Sequence, residues 1–138
     1  MQRVKRFLSL SGGERRLLFQ ALSRLTRTCL KLHLLPRKKW HALLTSRATK
    51  RSRQRYSEEQ IAWAVRAAAR YVPTANCLPQ ALVAKQLLEE QGFAPVLRLG
   101  VQDPDEFGLK AHAWVETGGR VVVGEDGQDY QALNATAR

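Results

Sequence analysis

The chain has 138 residues, a length that fits one domain of ordinary size with a short extension. With 44% hydrophobic and 25% charged residues, its composition is that of a globular protein, and no run approaches the roughly 18 apolar residues of a membrane-spanning helix. The two cysteines exclude a disulfide scaffold and a four-cysteine zinc site. No secretory signal is evident, so a cytoplasmic location is expected.

Positive charge is concentrated in the first part of the chain. The formal net charge is +11, and residues 1–56 contain 16 Lys and Arg against a single acid, Glu14, whereas residues 57–138 carry a net charge of −4. This change predicts a basic helical N-terminal segment over residues 1–56 and a separate core over residues 57–138. A strongly basic segment indicates an acidic partner, which could be nucleic acid, an anionic membrane or an acidic peptide.

The first 56 residues contain signals for one long helix and one short one. Ser11 and Glu14 have the spacing of a capping box, in which two side chains satisfy free groups at a helix start. An apolar stripe then recurs in steps of three and four residues, at Leu18, Leu22, Leu25, Cys29 and Leu32. We expect this basic helix to end at Pro36, a short helical segment from Trp40 to Leu44, and an exposed loop over residues 45–55.

Two more helices are predicted after Ser57, which supplies a cap and is followed by two glutamates. One buried face is marked by Ile61, Val65, Ala68 and Val72. Pro73 ends this helix, and the next runs from about Leu78 to Gln91, with Pro79 in its first turn. Residues 81–84 are apolar all round, which indicates a buried central helix.

Beyond Gly92 the hydrophobic period changes to two, which is typical of strands. Alternation over residues 96–101 predicts a first strand, followed by a polar loop over residues 102–108. Residues 111–117 and 120–123 flank Gly118-Gly119, a hairpin signal because both glycines can adopt positive φ. Helices followed by an antiparallel sheet of about three strands predict an α+β fold, while residues 127–138 show little pattern.

Cys77 is a candidate nucleophile because it lies at the predicted start of the central helix, where free amides and the helix dipole favour negative charge. A single cysteine is more often simply a buried residue, so a second group is needed. His112 supplies one on the second predicted strand, with Trp114 and Glu116 on its face and small apolar residues on the other. The sequence leaves open which of these faces packs on the helices.

The residues after the hairpin offer an acid for His112. If the pairing continues in register, Glu125 lies opposite His112, and a one-residue change puts Asp126 there instead. Either carboxylate could hold the imidazole in the orientation that a Cys–His pair requires. The candidate catalytic residues are therefore Cys77 and His112 with Glu125 or Asp126. No cofactor or metal is expected, because no group of residues has metal-ligand spacing.

These residues resemble those of the transglutaminase-like, papain-like cysteine proteases, with Asn76-Cys77-Leu78 opening the core helix and His112-Ala113-Trp114-Val115-Glu116 on the first catalytic strand. More closely, the chain resembles the lasso-peptide leader peptidases, the protease half of the lasso-peptide maturation B protein. The similarity covers nearly the whole chain, and its further motifs are Glu14-Arg15-Arg16-Leu17-Leu18, Leu34-Leu35-Pro36, Ile61-Ala62-Trp63-Ala64-Val65-Arg66-Ala67-Ala68, Gln80-Ala81-Leu82, Arg98-Leu99-Gly100-Val101 and Gly119-Arg120-Val121-Val122.

The resemblance implies a central helix packed on a small antiparallel sheet, and removal of the leader from a ribosomally made precursor before an ATP-dependent cyclase closes the ring. Cys77 would attack the scissile carbonyl and His112 would transfer the proton. The family's acid lies near the end of the second catalytic strand, where Glu125 and Asp126 are both candidates. Residues 1–56 show no strand pattern, so the winged-helix-like domain that binds the leader is expected on a separate partner protein.

Two other functions stay open at this point. The basic segment could bind phosphates or an anionic membrane, with Trp40 beside Lys38 and Lys39 able to stack or insert. No recognisable nucleic-acid motif accompanies the charge, so specific nucleic-acid binding is not expected, whereas peripheral membrane contact is compatible with it. The same Cys–His pair could instead transfer an acyl group to an amine.

Overall fold

The computed structural model describes Lys5 and residues 8–47, 56–105, 108–124 and 131–137. The described helices are α1 (Gly12–Leu34), α2 (Trp40–Thr45), α3 (Glu58–Ala69) and α4 (Cys77–Glu90), with a 3-10 turn at Arg37–Lys39 before α2. The described strands are β1 (Val96–Asp105), β2 (Gly108–Thr117), β3 (Arg120–Val123) and β4 (Gln131–Ala137).

Side-chain caps set where the first long helices begin. At α1 the Ser11 hydroxyl accepts from the Glu14 amide, while the Glu14 carboxylate accepts from the Ser11 amide. Ser57 and Gln60 form the same reciprocal pair at α3. The predicted helix starts, the end of α1 before Pro36 and the short helix after it are confirmed. Most of the predicted loop over residues 45–55 lies outside the described residues.

Helix α1 belongs to the hydrophobic core as well as carrying basic residues. Leu17 and Leu25 on one face of α1 are almost completely buried and belong to the same core as Ile61 of α3 and Leu88 of α4. The opposite face is exposed and carries several of the basic residues. In the described residues α1 is thus packed against the protein body, while the division of the chain at residue 56 stays a prediction.

Polar contacts fasten the helices to one another. Arg24 of α1 makes a bidentate contact with Glu90 of α4 at 2.7 and 2.9 Å, a geometry that matches the planar guanidinium to the carboxylate. Lys85 is only 3% exposed, and its ammonium group donates to Glu89 and to the Ser46 carbonyl oxygen, each at 2.6 Å. These partners compensate a charge that would be costly to bury alone.

The described strands form one antiparallel sheet in the order β3-β2-β1-β4. The predicted polar loop over residues 102–108 is wrong in extent, because β1 and β2 continue pairing until Asp105 meets Gly108. Strand β4 pairs with β1 and was not predicted; its residues do not alternate cleanly between apolar and polar, so only backbone pairing identifies it. The predicted hairpin at Gly118-Gly119 is confirmed, with φ of +56° and +78°.

The helices α3 and α4 lie against one face of this sheet, and α1 packs on these two helices. Strand β2 buries Ala113, Val115 and Thr117, and β1 buries Leu97 opposite Val115. Helix α4 contacts α1, α3 and β2, so it is the central helix that the sequence predicts. The architecture is α+β, as expected.

Candidate functional site

Cys77 is the first residue of helix α4. The residue before it, Asn76, makes no side-chain hydrogen bond to the amides of the first turn, in contrast to the Ser caps of α1 and α3. Pro79 has no amide hydrogen, so the amide donors of this turn belong to Cys77 and Leu78. The start of α4 therefore presents amide groups beside a thiol, without a side chain of the protein to cap them.

Hydrogen bonds in the preceding loop hold Cys77 in place. The Ala75 amide donates to the Val72 carbonyl and the Asn76 amide to the Thr74 carbonyl, both at 3.0 Å. The Gln80 side-chain amide, one turn into α4, donates back to the Ala75 carbonyl at 2.7 Å. Because these bonds tie the loop to the helix, the orientation of the Cys77 backbone is fixed by the fold.

A wide groove opens beside Cys77. Its volume is about 640 Å³, and its walls come from α1, from the start of α2 and from residues 72–79. Cys29 and His33 of α1 and Trp40 of α2 line it together with Cys77. Both cysteines are free thiols and half-buried. Cys29 packs against the core as expected, although it also borders this groove.

His112 lies on the face of β2 that points away from the helices. Its neighbours Ala113 and Val115 point into the core, whereas His112, Trp114 and Glu116 are half-buried on the other face. The structure thus decides which side of β2 packs on the helices: the small apolar side. His112 pairs with Gly100 on the adjoining strand β1.

The His112 ring is positioned by contacts on its own face. Its Nε2 atom makes a short hydrogen bond with the carbonyl oxygen of Gly124, and the ring stacks on Trp114 with centroids 6.0 Å apart. The Trp114 indole donates to Glu116 at 2.9 Å, and Glu116 in turn pairs with Arg98 at 3.3 Å. A carbonyl oxygen can only accept, so the Nε2 atom donates its proton to Gly124.

Gly124 follows β3 in a conformation with φ of +99°. A Cβ atom there would lie 2.8 Å from both the Ala113 carbonyl oxygen and the Trp114 Cβ. The Ala113 carbonyl oxygen belongs to the backbone, which cannot move aside as a flexible side chain can. Residue 124 must therefore be glycine for its carbonyl to reach His112.

The candidate nucleophile and base lie on adjoining elements but on different sides of the sheet, because α4 packs against the Ala113 and Val115 face of β2 and His112 lies on the opposite face. Their surroundings differ: Cys77 borders the groove, and His112 is not among the described residues that line it. His33, one helical turn after Cys29, also lines the groove. The sequence motifs did not identify His33 as part of the site. The spacing of four residues between Cys29 and His33 was the available signal.

The acid candidates Glu125 and Asp126 lie outside the described residues. The pairing of β2 with β3, the strand that precedes these acids in the chain, contains a register shift, however. Thr117 pairs with Arg120 as expected, but a one-residue bulge makes Val115 pair with Val123 instead of Val122. The assumption of continuous register is therefore wrong at Val123, whereas the choice between Glu125 and Asp126 as the residue opposite His112 stays a prediction.

The comparisons with known proteins give one match. A family model described as "Transglutaminase-like superfamily" matches residues 20–137, which include α4, β2 and most of α1. Neither a curated protein nor a solved structure matches the chain. Within the described residues, no helix is both long and apolar enough to cross a membrane.

The contact between Gly124 and His112 gives a testable prediction. Gly124→Ala should destabilise the protein by about 2–4 kcal/mol, because it adds both a strained φ and a clash with backbone. Gly119→Ala is the matched control, since it also has positive φ but nothing within 4 Å of its Cβ position, and it should cost about 1 kcal/mol. Urea unfolding measures both values, and equal losses would contradict the close approach at Gly124.

Proposed function

Because the chain belongs to the transglutaminase-like superfamily, which includes cysteine proteases, we propose that it is a cysteine peptidase that removes the leader peptide from a lasso-peptide precursor. The observation that carries the proposal is Cys77 at the uncapped start of the buried helix α4, beside a groove wide enough for a peptide segment. The motifs around Cys77 and His112, which resemble those of lasso leader peptidases, support this substrate.

In the proposed reaction, the Cys77 sulfur bonds to the scissile carbonyl carbon. His112 takes the thiol proton and gives it to the leaving amine as the carbon–nitrogen bond breaks. The carbonyl oxygen, negatively charged in the tetrahedral intermediate, is stabilised by the Cys77 and Leu78 amides at the helix start. Water, deprotonated by His112, then attacks the thioester and restores the thiol.

Nδ1 is the His112 atom suited to this proton transfer, since Nε2 is occupied by the Gly124 carbonyl. Because His112 lies on the face of β2 that points away from the helices, the proposed reaction requires its imidazole to move towards the Cys77 thiol when the substrate binds.

For the third catalytic member we favour Asp126 over Glu125. If pairing continued beyond the pair Val115 and Val123 without a further shift, position 126 would be opposite position 112. An acid at that position would act on the same ring as the Gly124 carbonyl and stabilise the imidazolium that forms during the reaction.

The basic outer face of α1 is proposed to dock the partner protein that carries the leader. Arg16, Arg27 and Lys31 are exposed there, whereas Arg24 is held by Glu90. A partner that tethers the substrate raises its local concentration to the millimolar range. Opposite charge on the partner would speed the encounter and make it sensitive to salt.

The catalytic pair is tested by substitutions with matched controls of the same residue types. Cys77→Ala and His112→Ala should each lower cleavage of the precursor at least about a thousandfold. Cleavage should be retained by Cys29→Ala, which removes the other thiol, and by His41→Ala, an exposed histidine that is not among the described residues lining the groove. The assay mixes the chain with precursor and leader-recognition protein and follows products by mass spectrometry. Near wild-type cleavage by Cys77→Ala would refute the proposal, and products with the mass of an added amine would indicate acyl transfer instead.

The choice of acid is tested separately. Asp126→Asn should slow precursor cleavage more than Glu125→Gln, by roughly tenfold or more, because it removes the charge that stabilises the imidazolium. Single-turnover rates of the two variants give the comparison. If both variants cleave at the wild-type rate, the Gly124 carbonyl alone orients His112.

Docking through α1 is tested by charge reversal. Replacing Arg16, Arg27 and Lys31 together with Glu should slow partner-dependent cleavage about tenfold and reduce its dependence on salt. Alkylation of Cys77 by iodoacetamide should be unchanged, and Arg70→Glu, an exposed reversal on another part of the chain, serves as control. A triple variant that keeps full processing but no longer binds nucleic acid or anionic vesicles would support the rival function of the basic segment.

A further inference from the structure

The groove beside Cys77 is mostly apolar. Of its described lining residues, Leu30, Trp40, Val72, Leu78 and Pro79 contribute apolar surface, and none is acidic. Leu30 is 56% exposed although it is a large apolar side chain. A wide, uncovered apolar concavity of this kind is a common property of ligand sites.

We propose that this groove binds an apolar side chain of the substrate peptide, from a residue close to the scissile bond. The inference rests on the proposed peptidase function and adds the side-chain specificity of the site. We infer that the groove binds the substrate peptide because Cys77 lies in the groove wall. A scissile carbonyl must come within about 3.5 Å of the sulfur, and an extended peptide advances about 3.3 Å per residue. The segment next to that bond therefore lies against the groove.

Charge around the groove narrows the substrate class further. Lys38 and Lys39 before α2 are exposed and close in sequence to the lining residue Trp40. A peptide that carries acidic residues beyond its apolar one complements this surface, whereas a basic peptide is repelled. The expected substrate segment is thus apolar beside the scissile bond and acidic farther away.

Leu30 and Leu34 provide a matched pair of positions for testing this specificity. Both are exposed leucines near the end of α1, but only Leu30 lines the groove. Because neither belongs to the buried core, Glu can replace each without opening a cavity. Leu30→Glu places a charge in the groove, and Leu34→Glu places the same charge on the same helix outside it.

The first measurement uses alkylation and needs no turnover. The Cys77 sulfur displaces iodide from N-hexyl iodoacetamide or from iodoacetamide, forming a carbon–sulfur bond, and peptide mapping separates Cys77 from Cys29. The hexyl reagent should react with Cys77 at least about tenfold faster than iodoacetamide in the wild type and in Leu34→Glu, because its chain is buried in the groove. In Leu30→Glu this advantage should fall to about twofold or less. If the hexyl reagent reacts with wild-type Cys77 no faster than iodoacetamide does, the proposal that the groove is an apolar binding site is wrong.

The second measurement uses a library of precursor peptides randomised on both sides of the cut, digested in the presence of the leader-recognition protein by the wild type, the two variants and Cys77→Ala. Sites cut in a Cys77-dependent way should share an apolar residue at one position next to the cut and Asp or Glu beyond it. This apolar preference should be lost in Leu30→Glu and kept in Leu34→Glu. If Cys77-dependent cleavage shows no apolar preference, or if this preference survives in Leu30→Glu, the proposed specificity is wrong. The proposed peptidase function would still hold in that case. Absence of Cys77-dependent cleavage despite a clear hexyl advantage would instead refute a peptide as the occupant.

Discussion

The burial of helix α4 is the constraint on which the candidate site depends. The helix is held between α1, α3 and β2, and Ala81, Ala84 and Leu88 are fully buried in those contacts. Lys85, within the same helix, has its charge compensated by Glu89 and by the Ser46 carbonyl. A close-packed helix cannot rotate without losing these contacts, so its first residue, Cys77, is held at one place.

The candidate base is positioned by backbone more than by side chains. His112 meets the Gly124 carbonyl, and Gly100 pairs with it on the adjoining strand. The two glycines allow main chain to come close to the imidazole on either side. Since a main-chain carbonyl oxygen can only accept, this contact requires a proton on Nε2 of His112.

Helix α1 connects the basic charge of the chain to the site. Its inner face supplies Leu17 and Leu25 to the core, and its later turns supply Cys29 and Leu30 to the groove beside Cys77. The remaining surface is basic and exposed. One helix thus contributes to the core, forms a wall of the groove and exposes the basic face that we propose as the docking surface.

The sequence determined the local features of this protein: the capped starts of α1 and α3, the central helix beginning at Cys77 and the hairpin at Gly118-Gly119, since each depends on neighbouring residues alone. It also carried the family motifs around Cys77 and His112. The groove, the face of His112 and the role of Gly124 were decided only by tertiary structure. The bulge in β3 and the pairing of β4 could not be read from periodicity, because both arise from backbone contacts between distant segments.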